Sequence, residues 1–400
     1  MSSAIPVADG IHWVGANDYE TNLFEAIWPL PRGISYNAYL VADEKVALVD
    51  AVKEAFLGEM LQKVRDAVGP DRPMDYLVIN HMEPDHSGAV RALRGLYPDM
   101  QIVGNRKTAE FLKKFFGVEK NVRTVEDGET LSLGSRDLAF HVTPMVHWPE
   151  TMMTYDSGAR VLFSGDAFGG FGALAAGIFD DEVDIPYYED EILRYFSNII
   201  GKYCRPVQKA IEKLGDLSVE IVASTHGPVW RNEPQRIIDT YARWSRQETQ
   251  PGVVVAFASM YGSTQQMAEA VAHSLAEAGV EKVRVHDLSR THVSYVIRDV
   301  WRFKGLVVGG PTYNTRLFPL VEDLVGHLEN DRLRGRLLGI FGTYAWSGGA
   351  VDRLRSFAED GGDFRLIEPV VEAECRATPG QLDQCAEMGR NMAAALKDRA

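Results

Sequence analysis

Residues 80–88 read Asn80-His81-Met82-Glu83-Pro84-Asp85-His86-Ser87-Gly88 and follow the apolar run Tyr76-Leu77-Val78-Ile79. The run is typical of a buried strand, and four potential metal ligands come directly after it. Alternation along a strand would place His81 and Glu83 on one face, and a turn at Pro84 would bring the next two residues to the same point. Each ligand alone is also explained as a helix cap or a surface side chain. The cluster is electrostatically costly without a cation, so it predicts a metal site.

Three further candidate ligands follow apolar, strand-like runs and come just before turns. Strand ends on one edge of a sandwich converge, and loops at such an edge often carry the chemistry of a rigid scaffold. His147 alone would be a packed loop histidine, and Asp166 alone would be a turn former. With the first cluster the set reaches seven ligands, which suits two metal ions: His81, Glu83, Asp85, His86, His147, Asp166 and His226.

The composition is that of a soluble globular protein, with 400 residues, 46% hydrophobic and 24% charged, and this length accommodates two domains. The net charge of −14 argues against nucleic acid as the main partner. The N-terminal residues lack a basic segment and an apolar core, and no uncharged apolar run reaches the ~18 residues of a membrane span. We therefore expect a cytoplasmic protein without a membrane partner. Cys204, Cys375 and Cys385 are too widely spaced for a disulfide framework or an in-chain rubredoxin module.

The first domain, residues 1–248, is predicted to be an αββα sandwich. Alternating and β-branched residues favour strands at 11–14, 36–41 and 46–50, followed by a helix at 53–68 and the strand before His81. Residues 185–214 carry aromatic side chains at helical spacing. We interpret them as helical packing against the sheet or as part of a dimer surface.

Helix breakers at residues 245–252 predict a domain boundary, and the second domain spans residues 252–400. Predicted strands at 253–258, 283–286, 305–309, 337–342 and 365–371 alternate with predicted helices at 265–278, 293–301, 320–328, 351–358 and 381–396. Five units of nearly continuous apolar strands, each followed by a helix, predict a doubly wound parallel sheet. Ligands of such a sheet bind beyond the carboxyl ends of its strands.

Three loops at those carboxyl ends offer groups for binding a monophosphate and a flat ring. The first offers hydroxyls, a glycine and a helix N-terminus to a phosphate, without a P-loop or a Gly-x-Gly-x-x-Gly motif. The other two offer small residues for close backbone approach and the aromatic planes of Tyr313 and Trp346 for stacking. The three loops resemble the flavin mononucleotide (FMN) site of flavodoxins, and plain turns are the alternative. The candidate FMN residues are Ser259, Met260, Tyr261, Gly262, Ser263, Thr264, Pro311, Thr312, Tyr313, Asn314, Thr315, Thr343, Tyr344, Ala345, Trp346, Ser347, Gly348 and Gly349.

The metal motif resembles the His-x-His-x-Asp-His signature of the metallo-β-lactamase fold, with Glu83 in place of the second histidine. Zinc hydrolases of that fold favour imidazoles, whereas a carboxylate hardens the site and suits iron in two oxidation states. With the flavodoxin-like loops in the same order, the chain resembles the flavodiiron proteins from about residue 5 to residue 396. The resemblance implies an α/β chain with a metallo-β-lactamase-like diiron domain followed by a flavodoxin-like FMN domain.

The resemblance also implies the roles of the ligands and of the partners. His81, Glu83 and His147 would hold one iron, Asp85, His86 and His226 the other, and Asp166 would bridge the two, with no catalytic residue beyond the ligands. The spacing does not fix whether adjacent Asp85 and His86 both point inward. The implied activity is reduction of dioxygen to water, of nitric oxide to nitrous oxide, or of both. The implied partners are an external electron donor, such as rubredoxin or a reduced deazaflavin, and a second chain in a head-to-tail homodimer or a dimer of dimers.

Two other functions stay open at this point. A dizinc metallo-hydrolase fused to a flavodoxin-like domain is one, and Glu83 argues against it. An electron-transfer module with a vestigial metal site is the other, and the complete ligand set argues against it. The preferred gas is not decided by the sequence: the side chains expected near the irons are Phe24, Phe168, Phe171 and Tyr195, and some relatives carry histidine near Phe24 and Phe171.

A group of basic residues in the second domain is predicted to lie near the flavin loops. It would steer an acidic electron donor, and an ordinary solvated face is the alternative. Its members are Arg302, Lys304, Arg316, Arg332, Arg334 and Arg336.

Overall fold

A computed structural model describes residues 3–398 and divides into two compact units, the first ending at Ser245 and the second beginning at Arg246. The strands of the first unit are β1 (Ile5–Ala8), β2 (Ile11–Trp13), β3 (Ala16–Asp18), β4 (Leu23–Phe24), β5 (Trp28–Pro29), β6 (Ile34–Tyr36), β7 (Tyr39–Ala42), β8 (Val46–Val49), β9 (Tyr76–Val78), β10 (Gln101–Gly104), β11 (Val122–Thr124), β12 (Thr130–Ser132), β13 (Asp137–Val142), β14 (Met152–Asp156), β15 (Val161–Gly165) and β16 (Ile221–Ser224). Its α-helices are α1 (Leu57–Val68), α2 (Pro84–Ser87), α3 (Val90–Leu96), α4 (Arg106–Phe111), α5 (Ile185–Tyr195), α6 (Cys204–Leu214) and α7 (Pro234–Ser245), with π-helical turns at Leu112–Phe116 and Phe196–Ile200 and 3-10 turns at Glu54–Phe56 and Gly201–Tyr203.

Two main sheets form the centre of the first unit. One has seven strands in the order β1-β2-β7-β8-β9-β10-β11, and the other has five in the order β12-β13-β14-β15-β16. The sheets face each other, since Tyr39 of β7 packs on Phe163 of β15 with ring centroids 5.3 Å apart. Strands β8, β14 and β15 are buried at every residue, as expected for strands between two layers.

The predicted strand geometry of the first ligands is wrong in detail. Strand β9 ends at Val78, so His81 lies in a loop, and Glu83 is the N-cap residue of α2, with Pro84 as its first helical residue. The strand ends early because the buried Asp50 carboxylate accepts a hydrogen bond from the Asn80 backbone N–H at 2.8 Å. The ligands still converge, because one turn of helix presents the following residues to the same point.

The second unit has strands and helices in strict alternation apart from one short hairpin strand. They are β17 (Gln250–Phe257), α8 (Ser263–Glu277), β18 (Val283–Asp287), α9 (Val293–Arg302), β19 (Phe303–Tyr313), β20 (Arg316–Leu317), α10 (Pro319–Asp331), β21 (Arg336–Tyr344), α11 (Ala350–Asp360), β22 (Phe364–Glu374) and α12 (Pro379–Lys397). The parallel order β18-β17-β19-β21-β22 confirms the predicted doubly wound sheet, and β20 pairs with the end of β19.

The core of this unit lies under α8 and α12. Met267 and Val271 of α8 and Met388 and Met392 of α12 join Phe341 of β21 in one buried cluster. Gly389 allows the two helices to approach closely, because a Cβ atom there would lie 1.9 Å from the Ser274 hydroxyl oxygen. Over the described residues 3–398, no helix combines the length and the apolar character needed to cross a membrane.

The predicted location of the basic residues is wrong for most of them. Strands β19 and β21 begin at Phe303 and Arg336, so Arg302, Lys304, Arg332 and Arg334 lie at the amino end of the parallel sheet, opposite the flavin loops. The Arg336 side chain is buried and donates to backbone carbonyls, including that of Gln247 at 3.2 Å. Only Arg316, in β20, lies beside the flavin loops.

The close contact between α8 and α12 at Gly389 predicts that a larger residue there destabilises the second unit. Gly389→Ala would force the Ser274 side chain and the helices apart, so we expect the unfolding free energy of the second unit to fall by about 1–3 kcal/mol. Gly326→Ala, at an exposed position of α10 with open space around it, should instead raise this free energy by up to about 1 kcal/mol. Calorimetric unfolding of the full chain measures the unfolding free energy of both variants. Equal changes in the two variants would contradict the close helix contact.

Candidate functional site

The seven predicted metal ligands come from five segments of the first unit. His81 and Glu83 lie between β9 and α2, Asp85 and His86 lie in α2, and His147 lies between β13 and β14. Asp166 directly follows β15, and His226 comes just after β16. Apart from Asp85, which is half-buried, all are buried. The fold therefore gathers the whole set at one edge of the two sheets.

The ligand atoms form two adjacent groups. In the first, the Glu83 Oε2 atom lies 3.2 Å from the Nε2 atoms of both His81 and His147. In the second, the Asp85 Oδ2 atom lies 3.4 Å from His86 Nε2 and 3.3 Å from His226 Nε2. The two histidine nitrogens of the second group are 3.1 Å apart. His86 thus points inward, a question that the spacing of the sequence left open.

Asp166 joins the two groups through its two oxygens. Its Oδ2 atom lies 3.1 Å from His147 Nε2 and 3.5 Å from His81 Nε2 in the first group. Its Oδ1 atom lies 3.1 Å from His86 Nε2 in the second group, and it accepts a 2.5 Å hydrogen bond from the Thr225 hydroxyl. A carboxylate can direct one oxygen to each group, which an imidazole cannot do.

The electrostatics of the cluster favour a cation. Burial alone would lower the pKa of the His86 imidazole, but the charges of Asp85 and Asp166 raise it to about 9. Burial also opposes charge on His147, yet hydrogen bonds to Asp166 and Glu83 raise its pKa to about 9. Across the described residues, every ion pair of these carboxylates is made with a histidine and none with lysine or arginine.

Unpartnered buried atoms at the same place fit metal ions. Both carboxylate oxygens of Asp85 are buried, and neither accepts a hydrogen bond from the residues that the structure describes. Among the described residues, the charge of Asp85 is compensated only by the two histidines of its group, at 3.3 and 3.4 Å, whereas a divalent cation would bind its oxygens directly. Mixed carboxylate and imidazole ligands in two joined groups suit two iron ions, which the residues present can therefore hold.

Two residues missed by the sequence analysis orient the histidines from behind. The buried Glu150 carboxylate accepts a 2.8 Å hydrogen bond from His81 Nδ1, and the backbone carbonyl of Ser35 accepts a 2.7 Å bond from His226 Nδ1. Both bonds leave Nε2 as the nitrogen that faces the site. Glu150 lies three residues after His147 with no motif around it, and a backbone carbonyl leaves no trace in a sequence.

Aromatic side chains cover the second group. The rings of Phe24 and Tyr195 each lie 5.6 Å from the His226 ring, and Phe171 packs on both at 5.5 and 5.1 Å. We call Phe24, Phe171 and Tyr195 the aromatic wall. Phe168, the fourth candidate of the sequence analysis, packs on Tyr241 instead, with ring centroids 5.1 Å apart. The wall keeps bulk water away from one side of the ligands.

In the second unit, the predicted flavin loops surround a cavity of about 380 Å³ at the carboxyl ends of the strands. This volume lies in the range of small-molecule sites. Of the predicted residues it is lined by Met260, Tyr261, Pro311, Thr312, Tyr313, Asn314, Thr315, Thr343, Tyr344, Ala345, Trp346 and Ser347, together with Cys375, which the sequence analysis missed. Trp346 is 86% exposed and Tyr261 is 94% exposed, so both can stack on a planar ring.

The other predicted flavin residues lie beside this cavity. Ser259, Gly262, Ser263 and Thr264 surround the start of α8, whose N-cap, Gly262, offers no side-chain hydrogen bond. The first backbone N–H groups of α8 thus have no capping side chain, as an FMN phosphate requires. The Ser263 hydroxyl accepts a hydrogen bond from the Ala377 N–H and can still donate its own proton to a phosphate. Gly348 and Gly349 precede α11, and Gly349 lines a neighbouring cleft.

Comparisons with known proteins agree with this geometry. Residues 34–227 match the family model described as ODP family beta lactamase, and residues 255–389 match the flavodoxin model. The chain is 35% identical over 402 residues to the nitric oxide reductase of Moorella thermoacetica, with 100% of both chains covered. This chain belongs to the flavodiiron protein family.

Solved structures place this flavodiiron protein in the same fold. The rubredoxin oxygen:oxidoreductase of the anaerobe Desulfovibrio gigas matches it with a TM-score of 0.94, 32% identity and 99% of each chain covered. The flavodiiron protein of Giardia intestinalis matches with a TM-score of 0.93 and 27% identity, covering 99% of this chain and 97% of that one. The predicted fold class and family are confirmed, and the chain is an oxidoreductase. Its flavodoxin domain implies FMN, and its family implies a diiron centre.

The inward position of His86 generates a metal-binding prediction. His86→Ala removes one nitrogen from the second group, so we expect the iron content after anaerobic loading with Fe(II) and dialysis to fall from about two ions per chain to about one. Elemental analysis measures the content. The matched control is His141→Ala, a half-buried histidine of β13 outside the cluster, which should keep the full content. Equal iron content in both variants would remove His86 from the ligand set.

The exposed ring of Trp346 generates a flavin-binding prediction. Trp346→Ala removes a stacking plane at the cavity, so we expect the Kd for FMN to rise about tenfold. Titration of the flavin-free protein with FMN, followed by the quenching of flavin fluorescence, measures this Kd. Trp346→Phe retains an aromatic plane and should bind nearly as tightly as the native chain. An alanine variant with native affinity would place the flavin ring elsewhere.

Proposed function

We propose that this chain reduces dioxygen to water, nitric oxide to nitrous oxide, or both, at a non-haem diiron site supplied with electrons by FMN. One observation carries the proposal: the two oxygens of Asp166 face two separate groups of ligands. The relatives named nitric oxide reductase and rubredoxin oxygen:oxidoreductase support both gases as substrates. The proposed domains are a diiron domain at residues 1–248 and an FMN domain at residues 252–400.

In the proposed site, the iron ions, when bound, supply electrons to the gas, and FMN passes single electrons from a carrier. His81, Glu83 and His147 would hold one ion, Asp85, His86 and His226 the other, and Asp166 both. Glu150 and Ser35 fix the orientation of two of the imidazoles. The three residues of the aromatic wall exclude water, so that a small apolar gas competes with less solvent for the open side of the site.

The Tyr195 hydroxyl is the polar group of the wall. It is buried, and it has no hydrogen-bond partner among the residues described. Burial, together with the charge of Asp166, raises its pKa well above the ordinary value. The hydroxyl therefore keeps its proton at neutral pH and remains a potential hydrogen-bond donor toward the site.

The hydrolase alternative has less support. A dizinc hydrolase of this fold favours imidazole ligands, whereas Glu83 contributes a carboxylate to the first group. A hydrolase also has no use for a flavin cavity, and the relatives are oxidoreductases. The alternative of an electron-transfer module with a vestigial metal site has no support, because all seven ligand side chains are present and converge.

The electron donor, the assembly and the location are parts of the same proposal. We propose a rubredoxin-type carrier as donor, in line with the name of the Desulfovibrio gigas relative, with a reduced deazaflavin as the alternative. We propose a head-to-tail homodimer or a dimer of dimers, so that the FMN of one chain serves the irons of another. The proposed location is the cytoplasm, where reduced carriers are available.

The experiment that tests the function compares both gases with one preparation. The FMN-bound and iron-loaded chain is reduced by an excess of donor, and the consumption of each gas is followed with an electrode in a separate sealed cell, one supplied with dioxygen and the other with nitric oxide in the absence of dioxygen. We expect turnover of at least one gas and loss of that turnover in Asp166→Ala, which removes the shared carboxylate. A ratio of the two rates far from one identifies the preferred gas.

Two controls interpret this result. Zinc-loaded protein should not reduce nitric oxide, and it should consume dioxygen only slowly and with hydrogen peroxide as the product, because zinc has no redox chemistry and the reduced flavin alone passes two electrons to dioxygen. Sedimentation of the active preparation should show a dimer or a dimer of dimers, and an active monomer would contradict the proposed assembly. If the FMN-bound, iron-loaded chain consumes neither gas, the oxidoreductase proposal fails, and thioesterase or phosphodiesterase activity of the zinc-loaded chain becomes the function to test.

A further inference from the structure

A fully buried arginine lies directly behind the aromatic wall. The side chain of Arg194, on α5, has no exposed surface, and its Nε atom donates to the Glu191 carboxylate at 3.0 Å. Its guanidinium carbon lies 4.4 Å from the centroid of the Phe171 ring. Burial of an ion pair costs several kcal/mol per ion, so the fold retains Arg194 at a considerable energetic cost.

Arg194 connects the three chain segments that build the wall. It precedes Tyr195 on α5, it stacks on Phe171 in the loop after β15, and its Nη2 atom donates to the Pro29 carbonyl at 2.8 Å. Pro29 lies in β5, which pairs with β4, the strand of Phe24. One rigid, planar group thus fixes a helix, a loop and a hairpin relative to one another.

The helix geometry changes at the same place. Helix α5 ends at Tyr195 and continues directly into the π-helical turn Phe196–Ile200. The carbonyl of Arg194 accepts hydrogen bonds from the side chains of Ser197 and Asn198 at 3.2 and 2.7 Å. Irregular turns of this kind are common at functional sites, where they re-aim a side chain. Here the turn follows the residue whose ring lies 5.6 Å from His226.

From these contacts we propose that Arg194 is a positioning residue that sets the free space beside His226 and so the size of ligand that the metal site accepts. This inference rests on the proposed metal site and extends it to a residue that contacts no ligand. Lysine keeps the charge for Glu191 but loses the fork and the stacking plane. Phe171 and the β4–β5 hairpin then lose their common anchor, and the wall moves away from His226.

The test measures ligand size without turnover. The protein is loaded with Co(II), whose absorption bands report coordination, and is titrated with azide and, separately, with acetate, a bulkier anion. We expect native protein to prefer azide, and Arg194→Lys to reduce the azide-to-acetate affinity ratio about tenfold at unchanged cobalt content. A native protein whose spectrum responds to neither anion would overturn the inference, because the wall would then border no ligand position.

A matched control exists in the same unit. Arg231 also stacks on a phenylalanine, with its guanidinium carbon 3.6 Å from the Phe179 ring centroid, and it pairs with Asp181 at 2.9 Å. Phe179 is not part of the wall. Arg231→Lys loses the same kind of contact, so it should keep the affinity ratio within about twofold of native.

A second variant separates positioning from stability. The double replacement Glu191→Leu with Arg194→Met substitutes apolar side chains for the whole buried pair, which is often neutral for stability. We expect native-like thermal stability with the same reduced affinity ratio. If the ratio instead stays native in both Arg194 variants, Arg194 is only a structural residue. A reduced ratio in a protein that consumes neither gas would remove the oxidoreductase proposal and leave this inference standing.

Discussion

The shared carboxylate of Asp166 is the constraint on which the first unit depends. Three carboxylates and four imidazoles share a largely buried space, in two groups within each of which the ligand atoms lie no more than 4.8 Å apart. Such a set is unfavourable unless positive charge compensates it, and a single bridging residue can serve two cations only if it stands at their midpoint. Strands β15 and β16 are parallel neighbours, so their carboxyl ends place Asp166 and His226 next to each other. This position lets Asp166 reach both groups of ligands.

The surroundings of the site are organised around that midpoint. Asn37 donates its side-chain amide to the carbonyls of Ser224 and Gly227, both at 2.9 Å, and so holds the turn that carries His226. The Glu150 carboxylate holds His81 in the same way, by accepting a hydrogen bond from its Nδ1 atom. The Asn105 side-chain amide in turn donates to the Glu150 backbone carbonyl and holds its loop. Rigid support of this kind fixes ligand direction before a metal arrives, which lowers the entropic cost of binding it.

The sequence was sufficient to predict the fold and the convergence of the seven candidate ligands, because both leave local patterns. Apolar runs followed by Gly, Pro or metal-binding side chains mark strand ends, and five such units define the parallel sheet. The sequence did not predict residues whose role depends on a contact between distant segments of the chain. Nothing near Glu150 or Arg194 distinguishes them from ordinary charged residues, and the side of a sheet on which Arg302 and Arg334 lie depends on exact strand limits. The strand end before His81 was misplaced because Asp50, thirty residues earlier, terminates it.

The exposure of Tyr261 and Trp346 affects the solubility of the chain before a flavin binds. Two large rings stand in solvent around an open cleft, on a molecule whose net charge of −14 otherwise favours solubility. A bound flavin would cover part of this surface, so we expect flavin-free chains to associate with one another more readily than flavin-bound chains. The fraction of soluble protein would then depend on how much flavin is available while the chain folds.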